Sequence, residues 1–383
     1  MKTQFRKILL ALFILTSFII PNLISTANEN PPLQKIAVII DSTEFYDTSF
    51  INDIIKGFDF VNQTYNIDYE IFQLTNYTNI DNYPYEAVYY YNNAATNHTE
   101  LAKEIAETQE YDLIALIGYE LRHGLLDFSE HPDSNFLYYD LSGEVPSNLK
   151  KNDPFPENLL TVNFKENEIG YIAGALTTAI KAPLPSKIAI VGTYRGDPRS
   201  KQLIAGFQSA IFRSARDTQL LISYIDGYAN DSVAKTVAND IKNEGYHELI
   251  FTGLQNNNSL GILEVLPNTS IISVDINRPQ SILKNNTKVI MHLFNEFNQS
   301  GFVKGIYTFG LEDNVFYPSD WGDIDKVNTT MTNIYQDIVD GTVVVPTEIV
   351  TASNTSGFEL FTTVIVILSI SLSIRIHRKK RKV

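Results

Sequence analysis

Cysteine is missing altogether from the 383 residues. Its absence excludes a disulfide framework, a thiolate metal site, a thiol nucleophile and a thioether-linked lipid anchor. Histidine is scarce: the six residues at 98, 123, 131, 247, 292 and 377 lack the close pairing that metal ligation requires, so no metal and no other cofactor is expected. Catalytic signatures are missing too. The segment 192–198 has no G-x-x-x-x-G-K-[ST] phosphate loop, and no G-x-S-x-G elbow exists to make a hydrolase of Ser42, Ser49 and His123. The one tryptophan, Trp321, reads as packing between lobes rather than as a ligand platform.

Positive charge is sparse where most of the chain lies. Nine of the 30 Lys and Arg sit at the two ends, and residues 8–357 hold 43 acidic against 21 basic side chains, a net charge of −22. A body this acidic repels phosphate backbones, which argues against nucleic acid as a partner. With 44% hydrophobic and 19% charged residues, the same body has ample material for buried cores.

Long apolar runs occur at the ends. Residues 8–20 (ILLALFILTSFII) follow Lys2, Arg6 and Lys7 and precede Ser25-Thr26-Ala27, the pattern of a cleavable secretory signal over 1–27. The alternative is an uncleaved anchor, for which thirteen residues fall short of the roughly 20 needed to span. Residues 358–376 form a second run, followed by RKKRK. At about 1.5 Å per residue it is about 28 Å long, the thickness of a hydrocarbon core. It is predicted to be a transmembrane helix in a single-pass protein of the cell membrane, with the basic tail 377–383 inside, residues 28–357 outside and 351–357 as linker. Asn-x-Ser/Thr sequons at Asn62, Asn76, Asn97, Asn230, Asn257, Asn268, Asn285, Asn298, Asn328 and Asn354 suit a glycosylated surface protein.

Between the ends, short β-rich runs alternate with amphipathic stretches, the pattern of an α/β protein with parallel sheets. Strands are expected at 35–40, 67–74, 112–117, 135–139, 159–164, 187–192, 220–225, 248–252, 270–274 and 288–293, and helices at 50–65, 100–110, 166–180, 201–213 and 232–244. Continuous apolar strands joined by helices predict two doubly wound lobes. Pro183-Leu184-Pro185-Ser186 marks the expected crossing between them. The predicted division is lobe 1 over 33–182 and 276–310, and lobe 2 over 187–275 and 311–350. The Tyr- and Asn-rich stretch 76–97 reads as a solvated loop or a partner surface.

Ligands of doubly wound sheets bind beyond the carboxyl ends of the strands. Three apolar runs here end in Asp41, Asp140 and Asp275. Each alone is compatible with a turn former or helix cap; three at equivalent positions suggest acceptors for a diol or for heterocycle N–H groups. Phe45, Tyr46, Asp47 and Ser49 follow the first, and Tyr228 supplies an aromatic from the other lobe. Aromatic faces beside hydrogen-bonding groups suit a stacked base.

These motifs resemble the basic membrane protein family, the PnrA-like nucleoside-binding proteins of the type I periplasmic-binding fold. The matching features are D-x(5)-D-x-S-F at Asp41, Asp47, Ser49 and Phe50, HPDSNFLYYD ending at Asp140, NFKENEIGYIAGAL with Phe164, Glu168, Tyr171 and Gly174, KIAIVGTYRGDPRSKQLIAGF, and SIISVDINR with Asp275. The resemblance implies a nucleoside held between lobes, with Phe45 stacking, Asp47 and Asp140 contacting the base or ordering the pocket, and Asp275 holding the ribose. It further implies an ABC importer permease as partner and no catalysis. Tyr46 stands where the family has an acidic residue, Tyr228 adjoins the family's second-lobe aromatic position, and Asn295 matches a late-strand lysine. A sensory or interaction ectodomain on the same fold is the alternative.

Overall fold

The computed structural model describes residues 33–40, 48–74, 88–91, 98–118, 130–140, 155–193, 195–225, 231–253, 256–274 and 278–349. The elements run β1 (Lys35–Ile40), α1 (Thr48–Tyr65), β2 (Asp68–Leu74), β3 (Val88–Tyr91), α2 (His98–Thr108), β4 (Leu113–Ile117), β5 (Asn135–Tyr139), β6 (Leu159–Phe164) and α3 (Glu166–Ile180). They continue with β7 (Lys187–Gly192), α4 (Pro198–Ser214), β8 (Gln219–Tyr224), α5 (Asp231–Asn243), β9 (Leu249–Thr252), α6 (Asn256–Val265), β10 (Ser270–Val274) and β11 (Ser281–Lys284). The last are α7 (Asn286–Ser300), β12 (Gly305–Phe309), a 3₁₀ turn (Leu311–Asp313), β13 (Phe316–Pro318) and α8 (Ile324–Val339).

Two sheets result. The first has the order β12-β6-β5-β4-β1-β2-β3 and is parallel throughout. The second has the order β13-β11-β10-β9-β7-β8, with β13 alone antiparallel. Strand alternation explains why helices cover both faces. Ala37 and Ile39 point to Leu101, Ala102 and Ile105 of α2. On α1 the buried residues Phe50, Ile51, Ile54, Ile55, Phe58 and Val61 recur at helical spacing and form one apolar stripe. That helix meets α7 through an edge-to-face Phe58–Phe294 pair with centroids 5.9 Å apart. In the second half Ala189, Val191 and Ile250 pack against Ala234, Ala238 and Ile262 of α5 and α6. The opposite face receives Phe207 of α4, stacked on Phe251 of β9 at 4.1 Å.

Two boundaries differ from the sequence expectation. Helix α3 lies with the second half: it packs along α4 and touches β10 and β11. Its fit there depends on glycine, since a Cβ on Gly206 of α4 would lie 1.9 Å from the Asn167 carbonyl, and one on Gly170 2.1 Å from that of Leu203. The first crossing is therefore at Lys165, and Pro183-Leu184-Pro185 is a turn inside the second half. Strand β11 also belongs to the second sheet, so the next crossing falls at Asn285, after the expected 275/276 division. The run 288–293, expected as a strand, is helical within α7. Its buried residues Val289, Ile290, Leu293, Phe294 and Phe297 have helical spacing, and the Asn285 side chain accepts from Lys288 N at the N-cap.

Among the described residues no helix is long and apolar enough to cross a membrane. The expected signal 1–27, linker 351–357, anchor 358–376 and tail 377–383 lie outside them. Trp321 is buried, and its indole N–H donates to the Ser281 carbonyl at 3.1 Å; β11 holds it within the second half.

Candidate functional site

The two halves join where three backbone crossings run side by side. Lys165 N donates to Phe309 O at 2.9 Å, and Asn285 N to Val315 O at 2.7 Å. The Glu168 carboxylate accepts from Leu311 N at 2.7 Å. Burial pushes the Glu168 carboxyl up despite that bond.

At these crossings the parallel strands of both sheets end, and four charged side chains meet. Asp140 follows β5 in the left-handed region, at φ +66°, a conformation that Asp tolerates better than most residues. Its two oxygens accept from Lys284 Nζ at 3.1 and 3.0 Å. Lys284 ends β11 and donates as well to Glu166 Oε1 at 2.6 Å. Its side chain is fully buried, with the ammonium 4.6 Å from the Phe164 ring centroid. Glu166, in the first turn of α3, lies 3.5 Å from Arg199 Nε on α4. Burial alone would raise the Asp140 carboxyl; the charges of Lys284 and then Arg199 outweigh it and hold the group below the usual carboxylate range. Two anions and two cations thus form a neutral quartet. Burying such charges is tolerable only because each has opposite-charge partners.

Neighbouring groups fix this cluster in place. Tyr139 donates to Asn286 Oδ1 at 3.0 Å, and its ring meets Phe164 at 5.9 Å. After β7, Asp197 caps α4 by accepting from Arg199 N and Ser200 N at 3.1 and 3.2 Å, with Pro198 in the first helical turn. The Thr193 hydroxyl donates to the same carboxylate. The cap thereby holds the first turn of α4, which carries Arg199 into the quartet.

Of the residues expected from sequence, Asp140 stands in this cluster. Asp41, Phe45, Tyr46, Asp47, Tyr228 and Asp275 lie outside the described residues, and Ser49 is described only as part of the first turn of α1. Asn295 is elsewhere. It is exposed on α7, with Oδ1 3.5 Å from the Tyr65 hydroxyl at the far end of α1. Nine residues of helix separate it from the crossing side of α7, about 14 Å at 1.5 Å per residue. The buried cation is supplied by Lys284 instead. Glu166, Arg199 and Lys284 were not anticipated as site residues. A usable signal existed for one of them: Lys284 directly follows the apolar pair Ile282-Leu283.

A comparison with curated protein sequences finds no match. Solved structures with similar folds include an ABC-transporter solute-binding protein from Aeropyrum pernix K1, at TM-score 0.58 and 15% identity, covering 82% of this chain and 94% of that one. A solute-binding protein from Conexibacter woesei has TM-score 0.58 and 13% identity over 82% and 99%. A transcriptional activator of the comK gene from Bacillus halodurans has the same score and identity over 80% and 98%. These likenesses establish the fold. Over residues 33–317 the sequence matches the PnrA-like ABC transporter substrate-binding model, and the chain belongs to that family.

Proposed function

We propose that this chain is a membrane-anchored receptor that captures an uncharged nucleoside between its two halves and presents it to an ABC importer, without chemistry. The observation that carries the reading is the neutral quartet at the crossings. A floor whose two carboxylates are already matched by Lys284 and Arg199 offers no net charge to a phosphate or a free carboxylate, whereas it favours a neutral polar molecule. The carboxylates and aromatics expected at 41, 45, 47, 228 and 275 would complete contacts to base and ribose. The anchor is the apolar stretch 358–376, which places residues 28–357 outside the cell.

One observation favours a second reading. Both Asp140 oxygens accept from Lys284, as in a sensory or interaction ectodomain that fills its own cleft. The test is to purify the full chain in detergent, denature it and identify released small molecules by mass spectrometry. A nucleoside supports the receptor reading, and a sugar or amino acid overturns the ligand class. A chain with no released molecule and no thermal stabilisation by any nucleoside supports the second reading.

A further inference from the structure

Chance gives about five Asn-x-Ser/Thr triplets for 34 Asn and 55 Ser plus Thr in 383 residues, whereas ten are present. Five of the ten asparagines have described side chains: Asn62, Asn268, Asn285, Asn298 and Asn328. The fold sorts them. Asn62 is half-buried, and its Nδ2 donates to Ile67 O at 3.2 Å and to Asp68 Oδ1 at 3.1 Å. Asn285 is half-buried at a crossing between the halves, flanked by the buried Lys284 and Asn286, with its own side chain capping α7. The hydroxyl of its sequon, on Thr287, is bound to Asp53.

The other three are exposed. Asn268 stands in the turn between α6 and β10, at the edge of the second sheet where parallel strands begin. Asn298 lies in the last turn of α7, far from the crossing at which that helix starts. Asn328 is on α8, whose buried residues are Val327 and Ile334.

We propose that Asn268, Asn298 and Asn328 are N-glycosylation sites and that Asn62 and Asn285 are not. The co-substrate is a glycan on a polyisoprenoid phosphate carrier. Asparagine Nδ2 forms a bond to the anomeric carbon, the carbon–oxygen bond to phosphate breaks, and the lipid phosphate leaves with the electron pair and takes up the proton that the amide loses. Glycans at Asn268 and Asn298 stand at the outer ends of the two halves and leave the crossings uncovered. Solvated attachment is required because a bulky polar glycan cannot enter a packed crossing.

This inference rests on the extracytoplasmic placement of the body, so the test separates the two. The full chain is produced in cells that N-glycosylate exported proteins, labelled with a membrane-impermeant amine reagent and mapped by glycopeptide mass spectrometry. Labelling of the body with glycans at 268, 298 and 328 is expected. Single N268Q, N298Q and N328Q variants each lose one glycan mass, and N62Q and N285Q lose none. A labelled chain that lacks glycans at the three sites, or carries one at Asn62 or Asn285, overturns the glycan assignment and leaves the placement standing. An unlabelled, unglycosylated chain overturns both.

Discussion

The first half keeps charge out of its core, whereas the second half builds it in. Strands β1, β4 and β5 bury apolar residues on both faces, and among the described residues Asp140 is the one charged side chain that the first half buries. The second half buries Glu166, Glu168, Asp197 and Lys284, together with Ser273 and Ser281, whose hydroxyls are hydrogen-bonded to each other. Asp140 is thus the first half's contribution to a cluster otherwise built on the second. A buried ion cluster adds little net stability over an apolar equivalent, but losing one partner is costly. Its effect is to fix where the halves meet.

Breaking the second half's charge should have the largest effect. Lys284→Met leaves Asp140 and Glu166 buried without their shared cation and should cost about 3–5 kcal/mol, read from urea unfolding midpoints. Gly206→Ala forces α3 and α4 apart and should cost about 3 kcal/mol, at the upper end of the usual overpacking range. Asp140→Asn keeps a residue type that tolerates positive φ and leaves Lys284 with Glu166, so about 2 kcal/mol is expected. Asp197→Ala removes the cap of α4 and should cost about 1–2 kcal/mol.

The acid limb sharpens the comparison further. The folded pKa of Asp140 is depressed, so its stabilisation is present above the ordinary carboxylate value of 3.8 and is lost as pH falls through the folded pKa. Glu168 acts oppositely: its raised pKa favours the fold most below 4.5. The stability gap between the native chain and Asp140→Asn should therefore be widest near neutral pH and shrink below about pH 4. Unfolding at pH 7 and pH 3 checks this, and an unchanged gap would remove Asp140 from the ion cluster.

Legibility followed continuity of pattern. Strands β1, β5, β6, β7 and β10 and helix α3 were readable to the residue because each is an unbroken apolar run or a full helical stripe. Strands β11 and β13 have four and three residues, too few for a period to emerge. Strand β3 falls in the Tyr- and Asn-rich stretch. Helix α8 carries a helical stripe of Val327, Met331, Ile334 and Ile338, which the sequence reading passed over because polar residues fill the rest of the segment. The run 288–293 looked like a strand because β-branched and aromatic residues crowd one face of α7. For the site, Asp140 was visible as a strand-ending carboxylate. Its partners come from positions 26, 59 and 144 residues further on, and such distances leave no local pattern.

Titration calorimetry of the full chain and its Asp140→Asn variant, against adenosine, guanosine, uridine and the matching monophosphates, tests the central claim most directly. The account predicts that an uncharged nucleoside binds, that its monophosphate binds at least tenfold more weakly, and that the variant loses affinity. Equal binding of nucleoside and monophosphate, or no binding of any nucleoside at millimolar concentration, would contradict it.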